Sequence, residues 1–361
     1  MKPRVAVVKV NECVEDSVRE AVQLLGGIRQ YAKPGGTYLV KPNLFTVKPW
    51  DTGATTDPRV FMTLAEMLKE VNATPVVGEC PASASYARPD IVFDCLGIRE
   101  LCEEAGVKIN VLDREEPVKV DLPDGHVLKE FWFPEFALGC NGIFNVPKLK
   151  THVLTSMTCA VKNLFGLQQG GSKAHHHVRA GNQPEKFSRL LLDLYAAIRS
   201  RVGLTVVDAN IAMEGEGPTT GDPVKLGLII AGDTPAAVDI VAAMLMEWAP
   251  MKVGTILLAA ERGLGPKSID DVELLGVPLD EVKRSFKKPI IHSVDETFSS
   301  LRMPIIVDPN MCEGCGICRD VCPGEAITIN EVPIFNDEDC IQCFCCIELC
   351  PKGALKVIRT R

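Results

Sequence analysis

Little of this 361-residue chain is aromatic: Phe, Tyr and Trp make up 6% of it, with three Trp and four Tyr. Few stacking platforms are therefore on offer to single-stranded nucleic acid. Positive charge is not in excess either, with 39 Lys and Arg against 47 Asp and Glu and a formal net charge of −8. No Lys/Arg field runs through the chain, so nucleic acid is not an expected partner. No apolar run reaches the length of a membrane span. The opening "MKPRVAVVKV" is too short and interrupted for a secretory h-region. The expectation is a soluble, cytoplasmic protein with no membrane partner. Two phosphate-binding fingerprints are missing as well. "GGSK" is not a Walker A sequence, and no G-x-G-x-x-G follows the first strand.

Cysteine, by contrast, is abundant, at 15 residues. Eight fall in two runs, each reading C-x2-C-x2-C-x3-C-P. The first is Cys312, Cys315, Cys318 and Cys322 before Pro323, and the second is Cys340, Cys343, Cys346 and Cys350 before Pro351. In this bacterial-type run three thiolates on one loop bind one cluster and the fourth ligates the other. The spacing predicts one [4Fe–4S] cluster on Cys312, Cys315, Cys318 and Cys350, and a second on Cys340, Cys343, Cys346 and Cys322. The flanks repeat too: "PIIVDPN" and "PIFNDED" precede the runs, "GEAITI" and "KGALKV" follow them. Two half-modules around a pseudo-two-fold axis are expected. Zinc sites favour paired C-x2-C knuckles, and disulfides need an oxidising compartment. Residues 300–361 thus resemble a two-cluster bacterial ferredoxin, which implies low-potential electron transfer and a low-oxygen setting. Gly314 and Gly316 suit backbone turns that bring amides to cluster sulfurs. Cys345 is an extra cysteine in "CFCC", read as a small buried hydrophobe, with an alternative ligand or redox-active thiol as the sharper option. Cys13, Cys80, Cys95, Cys102, Cys140 and Cys159 lack ligand spacing and read as reduced core residues.

The remainder alternates short apolar runs with amphipathic stretches. Strands are expected at 4–10, 35–45, 73–80, 107–113, 142–152, 203–210 and 224–233. Helices are expected at 15–27, 57–71 (Asp57 as N-cap, Pro58 at its first position), 89–106, 158–166, 185–201, 234–248 and 252–263. A hairpin over 116–133 turns at Asp124-Gly125, an edge strand lies near 271–275, and the Gly-rich 168–184 reads as a mobile loop. This is an α/β pattern: a parallel or mixed doubly wound sheet over 1–280. A linker over 281–303 and a small α+β ferredoxin-like domain over 304–361 follow.

Open α/β sheets bind ligands at strand ends. Lys41 with Asn43, Glu79, Asp208 with Asn210, and Asp233 fall there. The densest constellation is "NVPKLKTHVLTSMTCAVKNLFG", with Lys148, Lys150, His152, Thr155, Ser156, Lys162 and Asn163. Lysines, a histidine and hydroxyls together suit a phosphate or carboxylate, as would a helix starting near Ser156 or Met157. Lys162 sits in an apolar stretch and needs a partner or ligand. Lys162 and His152 are therefore the candidate catalytic groups. Lys41, Asn43, Lys148, Lys150 and Asn163 are the candidate ligand contacts. Lys148 and Lys150 also fit a strand end facing water, and His152 a loop histidine bonded in place. The run His175-His176-His177 reads as loop or metal site, and Glu214 and Glu216 lie on a Gly/Pro loop that closes over a ligand or merely turns the chain.

"VKPNLF", "TTDPRV", the Lys148–Asn163 block, "DANIAMEGEGPTTGDPVKLGLIIAGDTPAAVDIVAA" and "AAERGLG" resemble the domain-of-unknown-function 362 family over residues 5–280. The resemblance implies the α/β fold and no established reaction. A fainter likeness in the K…H…K-N-x-x-G layout runs to the nickel-dependent lactate racemase superfamily. The leading expectation is a redox enzyme or reductase component. It would exchange electrons with a donor or acceptor protein and pass them to an anionic small molecule, cofactor or partner. The alternatives are a ligand- or partner-binding module with structural or sensory clusters, and an isomerase or cofactor-maturation factor.

Overall fold

The computed structural model describes residues 2–81, 88–181, 183–289 and 303–358. A strand–helix alternation opens the chain, with β1 (Arg4–Lys9), α1 (Val14–Leu24), β2 (Thr37–Pro42), α2 (Pro58–Glu70) and β3 (Thr74–Glu79). Asp57 caps α2 by accepting from Arg59 N at 3.0 Å, and Pro58 fills its first turn. The single helix expected over 89–106 is two, α3 (Ile91–Cys95) and α4 (Ile98–Glu104). Gly97, at φ 65°, turns the chain between them. After β4 (Lys108–Val111), β5 (Pro117–Asp121) and β6 (Glu130–Pro134) form the expected hairpin, followed by α5 (Glu135–Gly139). Pro147, which has no N–H for a ladder, splits the next expected strand into β7 (Gly142–Val146) and β8 (Lys148–His152).

Next come β9 (Ser156–Thr158), which turns back on β8, and α6 (Ala160–Asn163). The expected mobile loop contains a helix, α7 (Ser172–Ala180), followed by α8 (Pro184–Ile198). Glycine content suggested irregular backbone, but Gly170 and Gly181 take positive φ at the two ends and leave the helix between them intact. The domain ends with β10 (Val202–Glu214), β11 (Asp222–Gly232), α9 (Pro235–Leu245), α10 (Gly254–Glu261) and β12 (Glu273–Gly276).

The main sheet runs β12-β1-β11-β10-β7-β2-β3-β4, with β8 on β10 and β9 on β8. Pairs from β10 through β7, β2, β3 and β4 are parallel, whereas β11 is antiparallel to β10 and β1. It is a mixed α/β sheet wound on both faces. Alternate residues serve opposite cores: Ala6 and Val8 pack with α1 and α2, Val5 and Val7 with α9.

The C-terminal module comprises β13 (Ile305–Val307), α11 (Ile317–Asp320), β14 (Ile327–Asn330), β15 (Val332–Phe335), α12 (Cys345–Glu348) and β16 (Leu355–Val357). β13 pairs with β16 and β14 with β15, both antiparallel. The halves are not equivalent. Gly314 and Gly316 take φ of 64° and 76°, and the matching positions hold Gln342 and Phe344 at 52° and 61°. Phe344 is buried beside Val153 of the large domain, whose side chain enters the module's apolar core with Cys346, Ile347 and Leu355. Residues 290–302 of the expected linker lie outside the described residues. Its first part packs onto the large domain: Phe286 is buried, and its carbonyl accepts from Trp248 Nε1 at 3.3 Å.

Candidate functional site

Parallel strands deliver their polar C-terminal residues to one edge. Lys41 at the end of β2 stands opposite Asn145 of β7, and Glu79 ends β3. Lys41 Nζ lies 2.9 Å from Glu79 Oε2, both fully buried. Burial drives the Lys41 pKa down and that of Glu79 up, while each charge draws the other back. Gly166 crosses this pair so closely that a Cβ there would meet Glu79 Oε1 at 2.4 Å and Lys41 Nζ at 2.6 Å. A chain of amides extends the network. Lys150 Nζ donates to Asn43 Oδ1 at 3.0 Å, Asn43 Nδ2 to Asn163 Oδ1 at 2.9 Å, and Asn163 Nδ2 to Asn145 Oδ1 at 2.8 Å. Lys150 also donates to the Ala54 carbonyl and stands over the Phe45 ring. Its burial holds its pKa well below the ordinary lysine value. Lys41, Asn43, Lys150 and Asn163 thus converge from separate elements.

Lys148 does not join them. β8 is buried along its length, and Lys148 Nζ is taken by Asp208 Oδ2 at 2.8 Å, directly across the β8–β10 pairing. Asp208 also accepts from Asp57 N and Asn210 N, so this is a closed structural knot. The expected helix start near Ser156 is also displaced. Ser156 belongs to β9, and α6 begins at Ala160. The first amides of α6 are no free anion seat, because Asp239 of α9 accepts from Ala160 N at 2.7 Å and Val161 N at 3.1 Å. Burial raises the Asp239 pKa to about 7.

A cavity of about 90 Å³ lies above the amide network, between the large domain and the C-terminal module. Lys150, His152, Lys162, Asn43 and Asn163 line it from one side, Glu348 and Cys345 of α12 from the other. His152 Nδ1 accepts from Leu154 N at 3.0 Å and Thr155 N at 3.4 Å, which leaves the neutral ring's proton on Nε2. That Nε2 is 3.3 Å from Glu348 Oε1. Burial lifts the Glu348 carboxyl to about 6, with Lys162 and Lys150 pulling the other way. Lys162 is half-buried, and its Nζ stands 4.6 Å over Phe165 and 5.5 Å from the Phe187 ring centre. Desolvation lowers its pKa. No carboxylate lies within ion-pair distance of it among the described residues, so the need for a partner inferred from its apolar context stands.

Glu348 and Thr158 belong to the cavity wall and were not picked out by sequence reasoning, and His177 joins them there. The histidine run, expected as loop or metal site, is helical. His177 stacks on Phe187 at 4.5 Å, while His176 Nε2 meets Gln168 Oε1 at 2.9 Å. Among the described residues no three His, Cys, Asp or Glu side chains close on a point for a single metal ion. Glu214 faces away from the cavity, accepting from Lys287 N at 3.0 Å, but Pro218 of the same loop lines it.

In the module, Cys312, Cys315, Cys318 and Cys350 line one small hollow. The thiols that act electrostatically on Cys346 are those of Cys343, Cys322, Cys340 and Cys318. Cys318 stands in both groups. Soft thiolates in fours, with backbone turning around them, fit the donor set of iron–sulfur clusters. Cys315 is exposed and Cys343, Cys345 and Cys346 are buried; of the six cysteines expected in the core, Cys95 is exposed and Cys13 half-buried, and the other four are buried.

No helix among the described residues is long and apolar enough to cross a membrane. Residues 39–244 match the family described as "Domain of unknown function (DUF362)", and residues 305–328 match "4Fe-4S binding domain". The Thylakoid-associated protein sll1697 of Synechocystis sp. is 31% identical over 76% of this chain and 82% of its own length. The Uncharacterized ferredoxin MJ0199 of Methanocaldococcus jannaschii is 36% identical over 15% of this chain and 95% of its own. The Adenylylsulfate reductase subunit beta of Megalodesulfovibrio gigas is 37% identical over 15% of this chain and 37% of its own. Among solved structures, the lactate racemase apoprotein of Thermoanaerobacterium thermosaccharolyticum superposes with TM-score 0.42 at 13% identity. That match covers 64% of this chain and about half, 54%, of the solved chain.

Proposed function

The chain belongs to the domain-of-unknown-function 362 (DUF362) family and ends in a 4Fe-4S binding, ferredoxin-type module, and on that premise we propose that it exchanges electrons between a redox partner protein and a small anion held in the cavity. It is an iron–sulfur protein of the electron-transfer type. In this reading it holds two [4Fe–4S] clusters, on Cys312, Cys315, Cys318 and Cys350, and on Cys340, Cys343, Cys346 and Cys322. When bound, such clusters supply one-electron transfer at low potential. The remaining functions fall to side chains. The outer half-module presents Cys315 to solvent, where a donor or acceptor protein has access. The inner half-module presents Cys345 and Glu348 to the cavity. Lys162 and Lys150 supply the positive charge that draws an anion there. His152, its tautomer set by two backbone amides, stands ready to give its Nε2 proton.

One observation carries the proposal: the cavity wall contains the residue between two cysteines of the second run, so ligand and cluster site share a partition. The test is chemical analysis of protein purified without oxygen. About eight irons and eight acid-labile sulfides per chain are expected. About four of each would reduce the reading to one cluster, and zinc without sulfide would overturn it. Anions added to the reduced protein should shift the electron paramagnetic resonance of one cluster; a spectrum indifferent to every anion tried would remove the ligand.

A further inference from the structure

The cavity retains hydrogen-bonding capacity that the protein does not use. Thr158 Oγ1 and His177 Nδ1 are buried without a hydrogen-bond partner among the described residues, and both residues line the cavity, as does Lys162. Buried polar atoms left unpaired are uncommon in folded proteins and call for a reason. Here they meet at one hollow, alongside an ammonium group seated over two aromatic rings.

Charge narrows what belongs there. Around the cavity the ammonium groups of Lys41, Lys150, Lys162 and Lys173 face the carboxylates of Glu79, Glu348 and Asp113. Of these four positive charges, Lys162 alone has neither a hydrogen-bond partner nor a carboxylate within ion-pair distance among the described residues. His177 adds none, because burial and Lys162 bring its pKa down to about 3. A charge drawn partly out of water over aromatic faces calls for compensation, and one negative charge provides it. A second negative charge would confront Glu348 in the wall. The walls add a second restriction. Phe45, Phe165, Val321 and Leu349 are apolar, and an inorganic oxyanion would leave oxygens unbonded against them. Size adds a third, for about 90 Å³ lies far below the roughly 300–1,000 Å³ of pockets that take drug- or cofactor-sized molecules.

We propose that the cavity takes one small organic monoanion, such as a short-chain monocarboxylate, with its charge against Lys162 and a hydrogen-bonding group against Thr158 and His177. This rests on the reading of the cavity as an anion site and names the class of anion. His177 then serves as a positioning and specificity group, held in place by its stack on Phe187.

Isothermal titration calorimetry of the full chain, purified without oxygen with its clusters in place, tests this. The probes are acetate and propionate, with succinate and sulfate for contrast. The monocarboxylates should bind about tenfold or more tightly than succinate or sulfate. Lys162→Gln should weaken them by about tenfold or more. His177→Phe, which keeps the aromatic stack, and Thr158→Val should each weaken them by about threefold to tenfold. Lys186→Ala, exposed on α8, should change nothing. Cluster absorption must match wild type in every variant compared. Sulfate binding more tightly than the monocarboxylates would overturn the proposal and leave the anion site standing. No binding by any of the four would overturn both. Monocarboxylate binding indifferent to all three cavity variants would place the ligand elsewhere and overturn the proposal. Should Lys162→Gln fail to fold, the His177 and Thr158 variants decide.

Discussion

Two lysines two positions apart, on the same face of β8, do different work. Lys148 is closed onto Asp208 and Lys150 reaches the cavity. Lys148→Met should leave Asp208 buried without its cation and lower stability by about 3–5 kcal/mol, measured by denaturant unfolding. Gly166→Ala should force Lys41 and Glu79 apart, because its methyl would lie within 2.4 Å of one and 2.6 Å of the other. A loss of about 2–4 kcal/mol is expected. Asp239 gives a pH signature. Its folded pKa of about 7 lies above the roughly 3.9 of an unfolded aspartate. The folded state therefore binds this proton more tightly. The stabilisation is complete below the unfolded pKa and is lost as pH rises through about 7. Thermal unfolding from pH 5.5 to 8 should show stability falling with pH through this group. In Asp239→Asn that fall should be reduced; an unchanged slope would assign it to another residue.

At the scale of elements, the crossed cysteine pattern yields a pairing test. Cys322→Ala and Cys343→Ala should damage the same cluster and leave matching residual spectra. Cys350→Ala and Cys315→Ala should match each other, and Cys345→Ala should leave both clusters. If Cys322→Ala matched Cys315→Ala instead, each run would close on its own cluster. The cysteine runs and the strands were legible because spacing and apolar periodicity are local. The helix α7 was not, because the glycines that flank it and its own histidines read as polar loop. What holds it is distant: His177 against Phe187 and His176 near Phe131 and Phe165. Glu348 was hidden by its repeat mate. Asp320 occupies the equivalent place in the first half and pairs with neighbouring Arg319 at the surface, and nothing in "CIELCP" says that its counterpart turns inward. The Lys148–Lys150 difference depends on which carboxylate lies across the sheet, which pairing register alone decides.

For the whole molecule, the module is a wall of the site and not a tethered accessory. Val153 seals it from the large domain. Val153→Asp should loosen that contact and raise hydrogen exchange in α12, while α1, packed with α2 in a separate core, keeps its protection. Equal loosening of both would point to general unfolding. The unequal halves have a further consequence. The first loop makes its two left-handed turns with glycine, the cheap choice for that backbone. The second makes them with Gln342 and Phe344, at a cost of about 1–2 kcal/mol per residue, and Phe344 lies in the seam with the large domain. Duplication alone would produce a symmetric conductor with interchangeable ends. On the proposed reading, docking one copy in this way would give the conductor a polarity, with one end open to water at Cys315 and the other walled in beside the cavity at Cys345.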